Sequence, residues 1–245
     1  MQVMKLTIVV PMYNEERFIK QMLDALIAAL QAHEWEIEIL VVDDGSTDLS
    51  CVEVRSIENS RIRLLEMPTN SGKGAAVRFG ILHASGDLVI VQDADLEYDP
   101  QDIPKMLKTY EKYDYQTCAV YGSRILGAKK HLSGWRGWIG LWHGQGLPQR
   151  GFNLSLSLFY LLLTRKWISD LLTGYKIYPR WIFNDWQSST SGFETDHEIT
   201  MRLEHIGIRI HEVPVSYVPR SKEMGKKIQS SDAVKAVSTL WKYRK

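Results

Sequence analysis

Apolar positions in the first hundred residues alternate between two rhythms. At 6–11, LTIVVP is a β-branched run of the kind that forms a parallel strand covered on both faces. Phe18, Met22, Leu23, Leu26, Ile27 and Leu30 then recur at spacings that predict a helix with one buried stripe. Asn14 is placed to cap that helix, and Glu15 and Glu16 suit its positive end. IEILVVDD at 37–44 predicts a second strand, GSTD leads into a short helical stretch, and RIRLLE at 61–66 predicts a third strand. NSGKGAAVRFGILHASG predicts a turn and a helix with Ala76, Phe79 and Leu82 inward, followed by the strand DLVIVQ. This alternation predicts one α/β domain with a mostly parallel central sheet flanked by helices. In such sheets ligands gather at the carboxyl ends of the strands.

The pattern changes after residue 128. Tryptophans, glycines and basic residues surround the run LSLSLFYLLL at 154–163, which is well short of the ~20 residues a membrane-spanning helix needs. Such a segment predicts an amphipathic helix at a membrane interface, and a core helix with a long loop fits the same residues. The stretch 229–243 is expected to be helical. Its basic end (Lys242, Arg244, Lys245) suits either anionic lipid or the negative pole of the helix.

Composition narrows the function classes. With 30 basic and 29 acidic residues in 245, there is no global field of the kind that recruits nucleic acid. Cys51 and Cys118 lack metal-ligand spacing, and the N-terminus does not read as a secretory signal, so a reduced, cytoplasmic setting is expected.

The candidate chemistry lies at the strand ends. VIVQDADLEYDP at 89–100 carries Asp93, Asp95, Glu97 and Asp99. Acids in loops are commonly just solvated. In an extended segment, however, Asp93, Asp95 and Glu97 share a face, and neighbouring carboxylates repel by roughly 1 kcal/mol per pair even in water. A cation relieves this. Oxygen ligands without His or Cys select Mg²⁺ or Mn²⁺, with diphosphate oxygens as further ligands. Asp99, just before Pro100, is expected to cap the next helix. SGKGAA lacks the phosphate-loop spacing, which disfavours nucleotide hydrolysis of that kind.

VVPMYNEE, VVDDGSTD, NSGKGAAVRFG and DADLEYDP, in this order, resemble the nucleotide-sugar half of family 2 glycosyltransferases with the GT-A fold. YGSRILG, DLLTGYKIY, GFETDHEITMRL and EVPVSYVPRSKEMGKKI resemble the dolichyl- or polyprenyl-phosphate mannose or glucose synthase-like branch, so the likeness covers nearly the whole chain. It implies a single GT-A domain, with a nucleotide-sugar half at 1–127 and an acceptor half at 128–245 that carries the amphipathic helical segment.

By the same resemblance, Pro11, Tyr13 and Glu15 would cradle the base and ribose and Asp44 would contact the nucleoside; strand alternation would turn Asp43 inward as a structural residue. Asp93 and Asp95 match the DxD motif, Glu97 a further metal ligand, and Lys73 the wall of the donor site. Arg124 is assigned to the acceptor phosphate, and Arg220 with Lys226 and Lys227 to a loop over the diphosphate. Arg150 is a further candidate cation, equally well read as solvated surface. Asp170 would align the donor sugar or serve as base, and Glu194 and Glu198 would organise the site.

A lipid-phosphate acceptor is already an anion, so it needs cations more than a base, and both arginine and lysine supply them. The expected reaction is inverting, metal-dependent transfer of a hexose from GDP-mannose or UDP-glucose to a polyprenyl phosphate. The enzyme would be held peripherally at the cytoplasmic face of a membrane without a spanning segment. A glycan hydroxyl as acceptor, or a nucleotide-sugar binder without turnover, are the alternatives.

Overall fold

Val, Ile and Leu fill both faces of the early strands, which demands cover on both sides of the sheet. The computed structural model describes residues 4–131, 147–186, 190, 192, 194–219 and 230–244. These residues form a seven-stranded sheet of β1 (Lys5–Met12), β2 (Glu36–Asp43), β3 (Ile62–Glu66), β4 (Leu88–Val91), β5 (Cys118–Ser123), β6 (Lys176–Pro179) and β7 (Arg209–Pro214). The strand order is β3-β2-β1-β4-β6-β5-β7. The mostly parallel α/β sheet expected from the sequence is present. Its reversed member is β6, which runs antiparallel between β4 and β5.

Around the sheet lie α1 (Ile19–Leu30), α2 (Ser50–Arg55), α3 (Lys73–His83), α4 (Ile103–Leu107), α5 (Arg124–His131), α6 (Leu147–Thr164), α7 (Thr195–His205) and α8 (Ser230–Lys242). Strand alternation divides the core in two. Leu6, Ile8 and Val10 join Met22, Leu23 and Leu26 of α1 on one side. Val9, Val42 and Val89 join Ala76, Val77 and Ile81 of α3, Leu156 and Tyr160 of α6, and Leu240 of α8 on the other. Each such side chain contributes roughly 1.5–3 kcal/mol over leaving it exposed.

Two local expectations are corrected. Asn14 does not cap α1. It adopts a left-handed φ of 54°, its Oδ1 accepts from the Thr47 amide at 2.8 Å, and the helix starts only at Ile19. The Glu15 carbonyl accepts from the Phe18 and Ile19 amides instead, so the chain after β1 is tied to the loop after β2 before the helix begins. Leu82 does not face inward and is 77% exposed. α3 packs through Gly74, Ala76, Val77, Gly80 and Ile81, and at Gly80 a Cβ would run into Val9 Cγ1. The close approach at Gly80 turns the helix so that Leu82 points away. Cys51 and Cys118 are free thiols, and burial pushes both up to about 11, which suits inert side chains. No described helix is long and apolar enough to cross a membrane.

His197 of α7 is buried beside this second core, and its Nδ1 has no hydrogen-bond partner. Burial, with the nearby Lys176 charge second, pushes its pKa down to about 3. Below its ordinary value of 6.5 the unfolded chain therefore takes up a proton that the folded protein refuses. Stability should fall as pH drops from 6.5 toward 3, by up to about 1.4 kcal/mol per pH unit from this group. Urea unfolding of the His197→Gln variant should show a shallower acid loss than the parent between those pH values.

Candidate active site

The strand ends assemble one polar edge. Because β6 is reversed, its first residue, Lys176, opens at the same edge as the carboxyl ends of the parallel strands. Pro11 lies within the last turns of β1, paired with Val42, rather than ending the strand, and Tyr13 and Glu15 follow. The Glu15 amide donates to Ser50 Oγ at 2.8 Å. After β2, Asp43 is turned inward as expected, with its carboxylate accepting from the Ser46 amide. Asp44 accepts from the Ser71 amide at 2.7 Å and the Gly72 amide at 2.8 Å, which fixes the turn into α3. Gly72 has φ 94°, a conformation that favours glycine, and it delivers Lys73 to the start of the helix.

Lys73 and Asp93 are brought together, with Nζ 2.6 Å from Oδ1. Burial opposes the Lys73 ammonium, but Asp93, then Asp196, outweigh it and raise its pKa above the ordinary value. Asp95 Oδ1 accepts from the Glu97 amide at 3.1 Å, and Glu97 Oε2 accepts from the Tyr217 hydroxyl at 2.7 Å. The segment is thus not the extended strand that would aim Asp93, Asp95 and Glu97 at one point, because Leu96 turns left-handed with φ 57°. Among the described residues no three His, Cys, Asp or Glu side chains are gathered to hold a metal. Asp93 and Asp95 still offer oxygen donors on one short loop. An ammonium already sits against Asp93, so the locality stabilises positive charge and suits a hard divalent ion completed by diphosphate and water. Asp99 Oδ1 caps the following turn through the Gln101 amide at 2.9 Å, as expected.

Just after β5, Arg124 forms a bidentate ion pair with Asp170. Nε donates to Oδ2 at 2.7 Å and Nη2 to Oδ1 at 2.8 Å, and the Arg124 amide also donates to Oδ2 at 3.0 Å. Asp170 is fully buried. Burial works against the guanidinium, yet Asp170, with Tyr98 next, outweighs it and holds Arg124 above its ordinary pKa. With three donors on it and no exposed surface, the Asp170 carboxylate anchors Arg124.

Arg150 is partly buried on α6. Glu198 accepts from Trp186 Nε1 at 3.0 Å and Thr190 Oγ1 at 2.8 Å, while Glu194 immediately precedes α7. Arg220, Lys226, Lys227 and Lys245 lie outside the described residues.

Three residues not singled out from the sequence belong to this edge. Asp196 acts on Lys73, as noted above. Lys176 is buried with Nζ 4.8 Å from the Tyr121 ring centroid and donates to the Leu171 carbonyl at 3.4 Å; burial lowers its pKa against the pull of Asp196 and Asp170. Tyr217 touches both Glu97 and Arg124, with the guanidinium carbon 5.0 Å from its ring centroid. Only the abrupt polar residue in the otherwise apolar GYKIY hinted at Lys176.

The family profile described as Glycosyl transferase family 2 matches residues 7–169, more than half of the chain. The chain belongs to glycosyl transferase family 2. Dolichyl-phosphate beta-glucosyltransferase ALG5C of Trichomonas vaginalis is 32% identical over 225 residues, covering 86% of this family 2 chain and 63% of that protein. Undecaprenyl-phosphate 4-deoxy-4-formamido-L-arabinose transferase of Proteus mirabilis is 39% identical over 114 residues, 45% of this chain and 35% of the relative. Dodecaprenyl-phosphate galacturonate synthase of Rhizobium johnstonii is 37% identical over the same length, covering 45% and 34%. The chain spans less than two thirds of each of these relatives.

Among solved structures, glucosyl-3-phosphoglycerate synthase from Mycobacterium tuberculosis, in complex with Mn²⁺, UDP and glucosyl-3-phosphoglycerate, superposes with a TM-score of 0.65. It has 19% identity and covers 98% of this chain and 80% of its own, a likeness of fold that agrees with the GT-A expectation. The family 2 match ends at Ser169, so Asp170, Lys176, Asp196 and Tyr217 all lie beyond it.

Removing one partner of a buried ion pair leaves the other charge stranded. Asp170→Ala should therefore destabilise the protein by about 3–5 kcal/mol, read as a drop in the urea midpoint at unchanged slope.

Proposed function

We propose that this family 2 chain transfers a hexose, with inversion, from a nucleotide diphosphate sugar to a polyprenyl phosphate. The observation that carries the reading joins an arginine to an apolar surface. Asn153 of α6 donates to the Ser169 carbonyl at 2.9 Å and accepts from the Leu172 amide at 3.3 Å, so the helix is pinned beside the Arg124–Asp170 pair. One residue further on begins an exposed stripe of Leu154, Leu158 and Leu162, spaced to share a helix face. A fixed cation at the head of an apolar track matches an acceptor with an anionic head and a long hydrocarbon tail. The names of the curated relatives, all lipid-phosphate sugar transferases, support the same acceptor class.

In this reading Pro11, Tyr13, Glu15 and Asp44 bind the nucleoside, while Asp93 and Asp95, with Glu97 nearby, hold Mg²⁺ or Mn²⁺. The bound ion would neutralise the departing diphosphate. Lys73 adds a second positive charge to the same oxygens, as would Arg220 and Lys226. Arg124, held rigid by Asp170, orients the attacking phosphate, which needs no base because it is already ionised. UDP-glucose is the first donor to test, since the Trichomonas relative is named a glucosyltransferase and the mycobacterial neighbour holds UDP, with GDP-mannose as the comparison.

The reading also includes peripheral attachment to the cytoplasmic face of a membrane. The α6 stripe continues to exposed Trp167, and across the helix pair Phe159 stacks with Trp241 at 6.3 Å, beside exposed Val237. Arg165, Lys166 and Arg244 border this surface, a pattern that suits anionic lipid.

Radiolabelled sugar supplied on UDP-glucose or GDP-mannose with Mn²⁺ and a short-chain polyprenyl phosphate should pass into an organic-soluble product. Asp95→Ala should reduce this by at least about 100-fold, the scale of losing a main electrostatic contact to the leaving group. Donor binding without lipid product, combined with transfer to a sugar hydroxyl, would replace the acceptor. The Leu158→Glu, Leu162→Glu double variant should cosediment about tenfold less with anionic phospholipid vesicles, while its nucleotide affinity stays at the parent value.

A further inference from the structure

We infer that Tyr217 is a positioning residue that joins the donor-side acid loop to the acceptor-side arginine, an inference that rests on the two-sided reading of the site above. The segment after β7 lies against the loop that follows β4. Tyr98 and Tyr217 form an antiparallel bridge, and the Val218 amide donates to the Glu97 carbonyl at 2.9 Å. Tyr217 then acts in two directions from one ring. Its hydroxyl donates to Glu97 Oε2 at 2.7 Å, fixing the carboxylate that follows the left-handed Leu96. Its face lies 5.0 Å from the Arg124 guanidinium carbon, and its ring centroid lies 5.1 Å from that of Tyr98.

Tyr98 carries the contact further. Its hydroxyl accepts from the Gly174 amide at 3.0 Å and meets Thr173 Oγ1 at 3.3 Å, both on the segment that leads from Asp170 into β6. Neither the acid loop nor the arginine can shift without disturbing the ring between them. Such a contact holds groups from different strands in one geometry before substrate arrives, which is where positioning lowers a barrier.

Substitution can separate the hydroxyl from the ring. Tyr217→Phe removes the Glu97 hydrogen bond and keeps the face toward Arg124, whereas Tyr217→Leu removes both. Calorimetric titration of UDP with Mn²⁺ should show about tenfold weaker binding for Tyr217→Phe, the scale of one hydrogen bond to a charged group, with the KM for polyprenyl phosphate unchanged. Tyr217→Leu should add a rise in that KM. In a cycle with Glu97→Gln, Tyr217→Phe should cause no further loss of UDP affinity.

Denaturant unfolding of the ligand-free proteins supplies an independent cycle, in which Tyr217 and Glu97 should be non-additive. Parental UDP affinity in Tyr217→Phe, or additive effects in both cycles, would overturn the inference. If no polyprenyl phosphate accepts sugar while the ligand-free coupling persists, the acceptor assignment fails and the positioning role stands.

Discussion

The Arg124–Asp170 pair is the constraint on which the region where β5, β6, β7 and α6 meet depends. Two charges withdrawn from water stabilise a fold only when the geometry is good and the remaining lone pairs are occupied. Here both carboxylate oxygens take guanidinium donors, and the Arg124 amide supplies a third. The Asp170 amide donates to Glu212 Oε1 at 3.2 Å, and the same glutamate receives the Ser169 amide and hydroxyl. The end of β5, the body of β7 and the segment before β6 are therefore fastened at one point. Through Asn153, so is α6.

The loop after β4 is built on the opposite electrostatic plan. Asp93, Asp196 and Asp95 all act on the Lys73 ammonium, and Asp196 acts on buried Lys176 as well. One cluster is saturated by internal partners and rigid. The other groups several acids around a lysine rather than locking one pair. In the function proposed above, a fixed arginine would receive the arriving anion and the acid site would serve the departing one.

Much of this was legible in the sequence, because long β-branched runs ended by acids leave few alternatives. The first four strands, the helix opened by Lys73, the Asp99 cap and the inward Asp43 follow from local pattern alone. What failed was decided by contacts between segments distant in the chain. Asn14 has the chemistry of a cap, but a bond to Thr47 claims its side chain. Leu82 fits the helical stripe, but Gly80 against Val9 sets the helix rotation. The carboxylates of DADLE sit two apart, but a left-handed Leu96 breaks their alternation. The pairing of Arg124 with Asp170 was not read at all, because it spans 46 positions that no local rhythm encodes. Lys176 showed only as a polar break in GYKIY and Tyr217 not at all, since their roles exist only once β6 and β7 are in place.

The reversed strand β6 also shapes how the chain must fold. β3, β2, β1 and β4 are contiguous in sequence, yet β4 reaches β5 only through Lys176–Pro179, made long afterwards. Until that short strand arrives, the four-stranded half presents a bare apolar edge of Leu88–Val91, the kind of edge that pairs with other chains. Closing the sheet joins positions far apart in sequence, so it carries a high loop-closure cost and comes late. The strand that carries Lys176 to the polar edge therefore also seals the sheet. Until it docks, the growing polypeptide is at its most vulnerable to association.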